Sequence, residues 1–74
     1  MNKDLIIQSN KSVKDAMLKI NKNAIGIIFI VDSKKKLLGV LTDGDIRRAI
    51  LKGINIFSSC KTLMKKKFIY IREN

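Results

Sequence analysis

The spacing of apolar positions changes several times along the chain, and each change predicts an element. Leu5, Ile6 and Ile7 form a short apolar run. After the polar stretch Gln8 to Lys11, Val13, Ala16, Met17 and Ile20 recur at i, i+3, i+4 and i+7. That is one face of a helix, expected to end near Asn21 to Asn23. Ser12 precedes it and Asp15 follows three residues later, a capping box in which each side chain satisfies the other's backbone N–H. Ala24 to Val31 is a nearly unbroken apolar run rich in Ile and Val, too short for a buried helix, and predicts a strand covered on both faces. Asp32 to Lys36 reads as a turn and Leu37 to Leu41 as the partner strand of an antiparallel hairpin. Gly39 inside it predicts a close backbone approach or a bulge.

Thr42 and Asp45 then repeat the capping-box spacing, and Ile46, Ala49 and Ile50 predict the buried face of a second helix that stops at Gly53. Beyond it Cys60, Leu63 and Met64 fit about one turn of helix, and Phe68 to Ile71 reads as a final strand. The expected fold class is α+β: a β-α-β-β-α unit with a small sheet, followed by a short helix and a strand, all in one domain over residues 1–74.

Composition narrows what such a unit does. The chain has 74 residues, 46% of them hydrophobic, and a core of that size supplies only about 3–5 kcal/mol. Self-association or attachment to a larger protein is therefore expected. A symmetric homodimer would cover the second sheet face and the helix ends carrying Met17, Ile50 and Met64. One Cys and no His exclude a disulfide framework and a tetrahedral zinc set. No apolar run approaches the roughly 20 residues of a membrane span and the N-terminus lacks a signal core, so a cytoplasmic location with no membrane partner is expected. Catalytic groups are scarce, with no His and no carboxylate pair placed across a cleft, and the expectation is a protein that is not an enzyme.

Sixteen basic residues against six acidic ones give a net charge of +10. Lys34 to Lys36 and Lys65 to Lys67 sit in predicted turns without interleaved aromatics, which reads as solvated charge and argues against nucleic acid as partner. A small basic nucleic-acid-binding domain stays an alternative on charge alone. Cys60 reads as a small buried hydrophobe and Tyr70 as a core or interface ring.

The sharpest segment runs from Gly39 to Arg48, placing a hydroxyl, two carboxylates, a Gly and two guanidiniums at a strand-to-helix junction. The helix N–H groups and Thr42 hydroxyl can receive a phosphate, Arg47 or Arg48 in the first turn can neutralise it, and a carboxylate can accept both hydroxyls of a ribose. The same residues read equally well as a plain cap, with Asp43 and Asp45 neutralised by the arginines rather than holding a metal.

Gly39, Thr42 and Asp45 reproduce a Gly-x-x-Thr/Ser-x-x-Asp pattern, Val31-Asp32 a Val-Asp strand end, and Ala16 an Ala of the first helix. On these positions nearly the whole chain resembles a cystathionine-β-synthase (CBS) motif, the β-α-β-β-α unit that pairs with a second copy in a Bateman module. The resemblance implies a regulatory module that binds an adenine nucleotide and controls an attached or partner enzyme. Asp45 would hold the ribose hydroxyls and Thr42 the phosphate. Ile25, Gly26 and Ile27 would contact adenine, with Ala16 lining the pocket. No cofactor is implied, and the ligands to consider are AMP, ADP, ATP and S-adenosylmethionine. This chain has Phe29 where the family often has Pro and Lys11 where it often has Thr. Residues 1–55 would form the first motif, and residues 56–74 resemble the junction and first strand of a second. The run Thr42 to Arg48 resembles copies attached to sugar-phosphate nucleotidyltransferases and isomerases. A pure dimerisation element of such a nucleotidyltransferase, with an empty cleft, is the alternative.

Overall fold

The structure is a computed structural model and describes residues 3–64. The predicted strand Phe68 to Ile71, with Tyr70 and the lysines 65–67, lies outside the described residues. A 3₁₀ turn, Lys3–Leu5, leads into β1 (Ile6–Gln8), followed by α1 (Val13–Asn23), β2 (Ile27–Val31), β3 (Leu37–Thr42), α2 (Asp43–Leu51) and a second 3₁₀ turn, Cys60–Thr62. The sheet order is β1-β2-β3. β1 runs parallel to β2 and β3 antiparallel to it, as a helical crossover and a tight hairpin respectively require. The hairpin register skips at Leu38, since Ile30 faces Gly39 while Val31 faces Leu37. The irregularity predicted at Gly39 therefore falls one residue before it.

Both capping boxes form: Ser12 Oγ accepts from Asp15 N at 3.1 Å, and Thr42 Oγ1 accepts from Asp45 N at 3.1 Å. The core consists of Ile7, Val13, Ala16, Ile20, Ile28, Ile30, Leu41, Ile46 and Cys60. It lies between the sheet and α1, with α2 closing one side through Ile46.

Two expectations need correction. Ala24 to Val31 is not one strand covered on both faces. Ala24 is the left-handed C-cap of α1, at φ 61°, and donates its N–H to Ile20 O. Ile25 is 60% exposed, and the strand begins only at Ile27. Helix termination takes these residues, because α1 must release its last carbonyls and reverse before β2 can start. Within β2 the side chains of Ile28 and Ile30 are enclosed while Ile27 and Phe29 are half-buried, so one sheet face is covered. The second correction concerns α2, where Ile46 alone is buried, Ala49 is half-buried and Ile50 is 39% exposed. A helix at the margin of a small sheet finds a neighbour for a narrow stripe only.

The segment after α2 is stitched to the start of α1. Val13 N donates to Ser58 O, Lys14 N to Ile56 O and Cys60 N to Lys11 O, at 2.8–2.9 Å. Two otherwise unpaired amides of α1 are satisfied in this way. Cys60 is fully enclosed, its S–H directed to Gln8 O at 3.6 Å. Burial, reinforced by the charge of Asp15, pushes the thiol pKa up. The neutral thiol is thus favoured in the folded state, and its stabilisation is complete below the unfolded pKa, about 8.5, and is lost as pH rises towards the higher native value. Urea unfolding followed at pH 7.5 and 9.5 should show wild type losing more stability over that interval than Cys60→Ala. An equal loss in both would show that the thiol is not the titrating group.

Candidate functional site

Thr42 is both the last residue of β3 and the N-cap of α2, and this double role builds the site. Asp43 N donates to Gly26 O at 2.9 Å, and Ile27 pairs with Thr42 across the hairpin. These two links draw Ile25, Gly26 and Ile27 against the Thr42 to Asp45 turn at one end of the sheet. Gly26 has φ 81° and open space where a Cβ would stand, so backbone conformation rather than crowding calls for glycine there.

The Asp45 side chain is 11% exposed, and its Oδ1 accepts from Arg48 Nη2 at 2.8 Å. Its Oδ2 accepts from Thr42 N at 3.4 Å. Arg47 pairs with Asp43 four residues earlier. The arginines occupy the second turn of α2, not the first as the sequence suggested, and reach back to the carboxylates of the first turn. Their charge therefore offsets the local acidic pair instead of opposing the helix dipole. Both guanidiniums are about two-thirds exposed, at 68% and 67%. Arg48 stands 3.5 Å from the Cβ position of Gly44, beside Thr42 Oγ1. A hydroxyl, a nearly enclosed carboxylate and an exposed cation thus share one helix start. They can accept ligand hydroxyls and pair with a phosphate, and nothing among them is arranged as a nucleophile with its base.

The fate of each expected site residue differs. Thr42, Asp45, Arg48, Gly26 and Ile27 come together, with Ile25 exposed beside them and Arg47 tied to Asp43 on the outer side. Ala16 does not line a surface: it is 0% exposed within the core. The position that faces the sheet is the one that packs, and α1 instead turns Met17, Leu18 and Asn21 towards a cleft of about 600 Å³ bordered by Gly26 and Asp43. Leu18 and Asn21 lie three apart on a helix, a spacing visible in the sequence but masked there by the stronger core stripe. Lys11 does not approach the Thr42 turn; it lines a separate groove with Val31 and Lys35, at the opposite end of β2.

Among the described residues no group of three or more His, Cys, Asp or Glu side chains could hold a metal ion, and no helix is long and apolar enough to cross a membrane.

The chain is 39% identical over 66 residues to an uncharacterized protein of Helicobacter pylori strain J99, covering 85% of this chain and 20% of that one. It is 40% identical over 42 residues to arabinose 5-phosphate isomerase GutQ of Escherichia coli K12, covering 57% of this chain and 13% of the isomerase. It spans a fifth or less of the length of these relatives. The backbone superposes on the CBS domain protein PAE2072 from Pyrobaculum aerophilum, complexed with AMP, with a TM-score of 0.79 over 84% of this chain and 49% of that one, at 14% identity. That likeness is one of fold. A family model described as the CBS domain matches residues 1–52. With this match and a β-α-β-β-α unit whose Thr42 cap faces the start of β2, the chain belongs to the CBS domain family.

Proposed function

We propose that the chain is a regulatory ligand-binding module that pairs with another CBS motif, by homodimerisation, and binds an adenine nucleotide at the Thr42 turn. The observation that carries the proposal is the Asp43 N to Gly26 O hydrogen bond at 2.9 Å, which holds the adenine-contacting segment of the resemblance beside Thr42 and Asp45. Asp45 would accept from the ribose hydroxyls, Thr42 and Arg48 would meet the phosphate, and Ile25 to Ile27 would lie along the base. The AMP complex of the Pyrobaculum protein supports this class of ligand.

The regulated enzyme would act on a sugar phosphate, as the likeness to arabinose 5-phosphate isomerase suggests, with a nucleotidyltransferase as the other member of that class. Residues 56–74 would lead into a second motif. Half-buried Ile27 and Phe29 on the uncovered sheet face, with exposed Ile50, supply apolar area for pairing. A second reading, a dimerisation element with an empty cleft, is favoured by one observation: both oxygens of Asp45 are already engaged within the chain.

Calorimetric titration with AMP, ADP, ATP and S-adenosylmethionine separates the two. The joint change of Arg47→Gln and Arg48→Gln should weaken AMP by about 1.5 kcal/mol, at the low end for charged hydrogen bonds because both guanidiniums are exposed. Adenosine should bind the variant and the wild type alike. Equal weakening of both ligands would remove the arginines from phosphate recognition, and no heat with any of the four ligands would favour the dimerisation element.

A further inference from the structure

Lysines from four separate parts of the sequence converge on one groove. Lys3 comes from the N-terminal turn, Lys11 from the β1–α1 loop, Lys19 and Lys22 from α1 and Lys35 from the hairpin turn. They border a groove of about 690 Å³ along β1, accompanied by Asp4 and Asp15. Five ammonium groups against two carboxylates make a strongly positive concavity, which focuses the field more than the same charges spread over a convex surface. Its volume falls in the range of small-molecule sites, roughly 300–1,000 Å³.

Two of these lysines are held in place by the fold. Lys19 is half-buried, and its Nζ donates to Lys3 O at 2.9 Å and to Ile6 O at 3.0 Å, leaving one of an ammonium's three donors. Lys35 takes φ 68° in a turn locked by Asp32, whose Oδ1 accepts from Lys34 N and Lys36 N at 2.8 and 2.9 Å. With both carboxylates ionised the lining still keeps an excess of three positive charges, five lysines against two aspartates, and Asp15 is drawn into the α1 capping box, where it accepts from Ser12 N.

We propose that this groove is a binding site for a small polyphosphate anion, distinct from the Thr42 turn. The groove runs the length of β1, from Lys3 and Asp4 to Val31 and Lys35. Lys3 and Asp4 lie level with Ile27, because Asn23 Nδ2 donates to both Asp4 O and Ile27 O. α1, whose Leu18 borders both, divides the groove from the cleft beside Gly26 and Asp43. A compact multiply charged anion matches several ammoniums at once, whereas a monophosphate engages too few of them to hold against physiological salt. The phosphate chain is the shared chemistry, whether free or carried by a nucleoside triphosphate.

The test uses the full chain in magnesium-free buffer with inorganic tripolyphosphate as probe, read by calorimetry and by amide chemical shifts. Tripolyphosphate should move the amides around Lys19, Lys22 and Lys35 at lower concentration than those of Thr42 to Arg48, where only one phosphate can be met. CTP carries the same triphosphate on a pyrimidine base and should move the same groove amides. Failure of CTP while tripolyphosphate binds would assign the groove to the free anion. Lys19→Gln with Lys22→Gln should weaken tripolyphosphate at least about tenfold, the loss of one or more charge-assisted contacts. Because Lys19 also ties down the N-terminal turn, Lys22→Gln with Lys35→Gln, both at exposed side chains, gives the same reading without that tie. Lys52→Gln with Lys61→Gln removes equal charge outside the groove and should change affinity less than about twofold at 0.15 M salt. Equal losses in groove and control variants, or shifts centred on Thr42 to Arg48, would overturn the proposal, as would no binding at millimolar tripolyphosphate. The groove and control lysine variants read this site alone, while AMP titration reads the Thr42 turn, so failure of one reading is distinguishable from failure of the other.

Discussion

Asp45→Ala is expected to abolish measurable AMP binding while leaving the chain folded. A carboxylate that accepts from two ribose hydroxyls makes two charge-assisted hydrogen bonds, each worth about 1.5–3 kcal/mol, so its removal should cost a hundredfold or more in affinity. The structural cost is small. Asp45 caps through a 3.4 Å contact to Thr42 N, and its pair with Arg48 ends on a guanidinium that is 67% exposed. Loss of such a cap costs about 1 kcal/mol or less. Asp43→Ala is the matched control, since Asp43 stands on the same turn and pairs with Arg47 but has a side chain 52% exposed. It should leave AMP affinity nearly unchanged. Calorimetry of the two variants, with urea melts to confirm folding, decides between a ligand carboxylate and a simple cap. If Asp45→Ala binds AMP as the wild type does, Asp45 is only a cap and the proposed site is wrong.

The largest effect on stability is expected at Ile28. This residue is 0% exposed at the centre of β2, the middle strand, and pairs with Leu41, also 0% exposed, on β3. Truncating a buried Ile to Ala costs about 2–5 kcal/mol through lost burial and the residual cavity. A single core of this size supplies about 3–5 kcal/mol, so Ile28→Ala should leave most of the chain unfolded at 25 °C. Ile25→Ala, three residues earlier and 60% exposed, should change stability by less than about 0.5 kcal/mol. Far-ultraviolet circular dichroism during urea unfolding reads both. A cooperative Ile28→Ala transition within 1 kcal/mol of wild type would mean that the core is not centred on β2.

These two residues also mark the division between what is legible in sequence and what is not. Local order was legible. The α1 stripe Val13, Ala16 and Ile20 and both capping boxes follow from spacing over three or four residues, which backbone geometry imposes wherever the chain lies, and the irregularity near Gly39 follows from a glycine inside a strand. The Thr42 to Asp45 motif belongs to the same class: its hydrogen bonds close within one turn, so their partners are already adjacent in sequence.

Tertiary structure decided the rest, because burial and charge at a given position depend on which distant segment arrives there. Ile25 and Ile28 are the same residue type in one apolar run, yet one is 60% exposed and the other fully enclosed, since α1 ends at Ala24 and hands over to β2 only at Ile27. Ala16 went to the core, where its periodicity with Val13 and Ile20 puts it, and not to the cleft that the resemblance implied. Arg47 and Arg48 took partners one turn back along α2, while Lys3, Lys11, Lys19, Lys22 and Lys35 acquired a common groove with no periodicity between them. Spacing along the chain determines which side chains share a face of one element. Only the packing of β1, α1 and the hairpin determines which faces meet, and in this protein that is what separates a solvated lysine from one that borders a site.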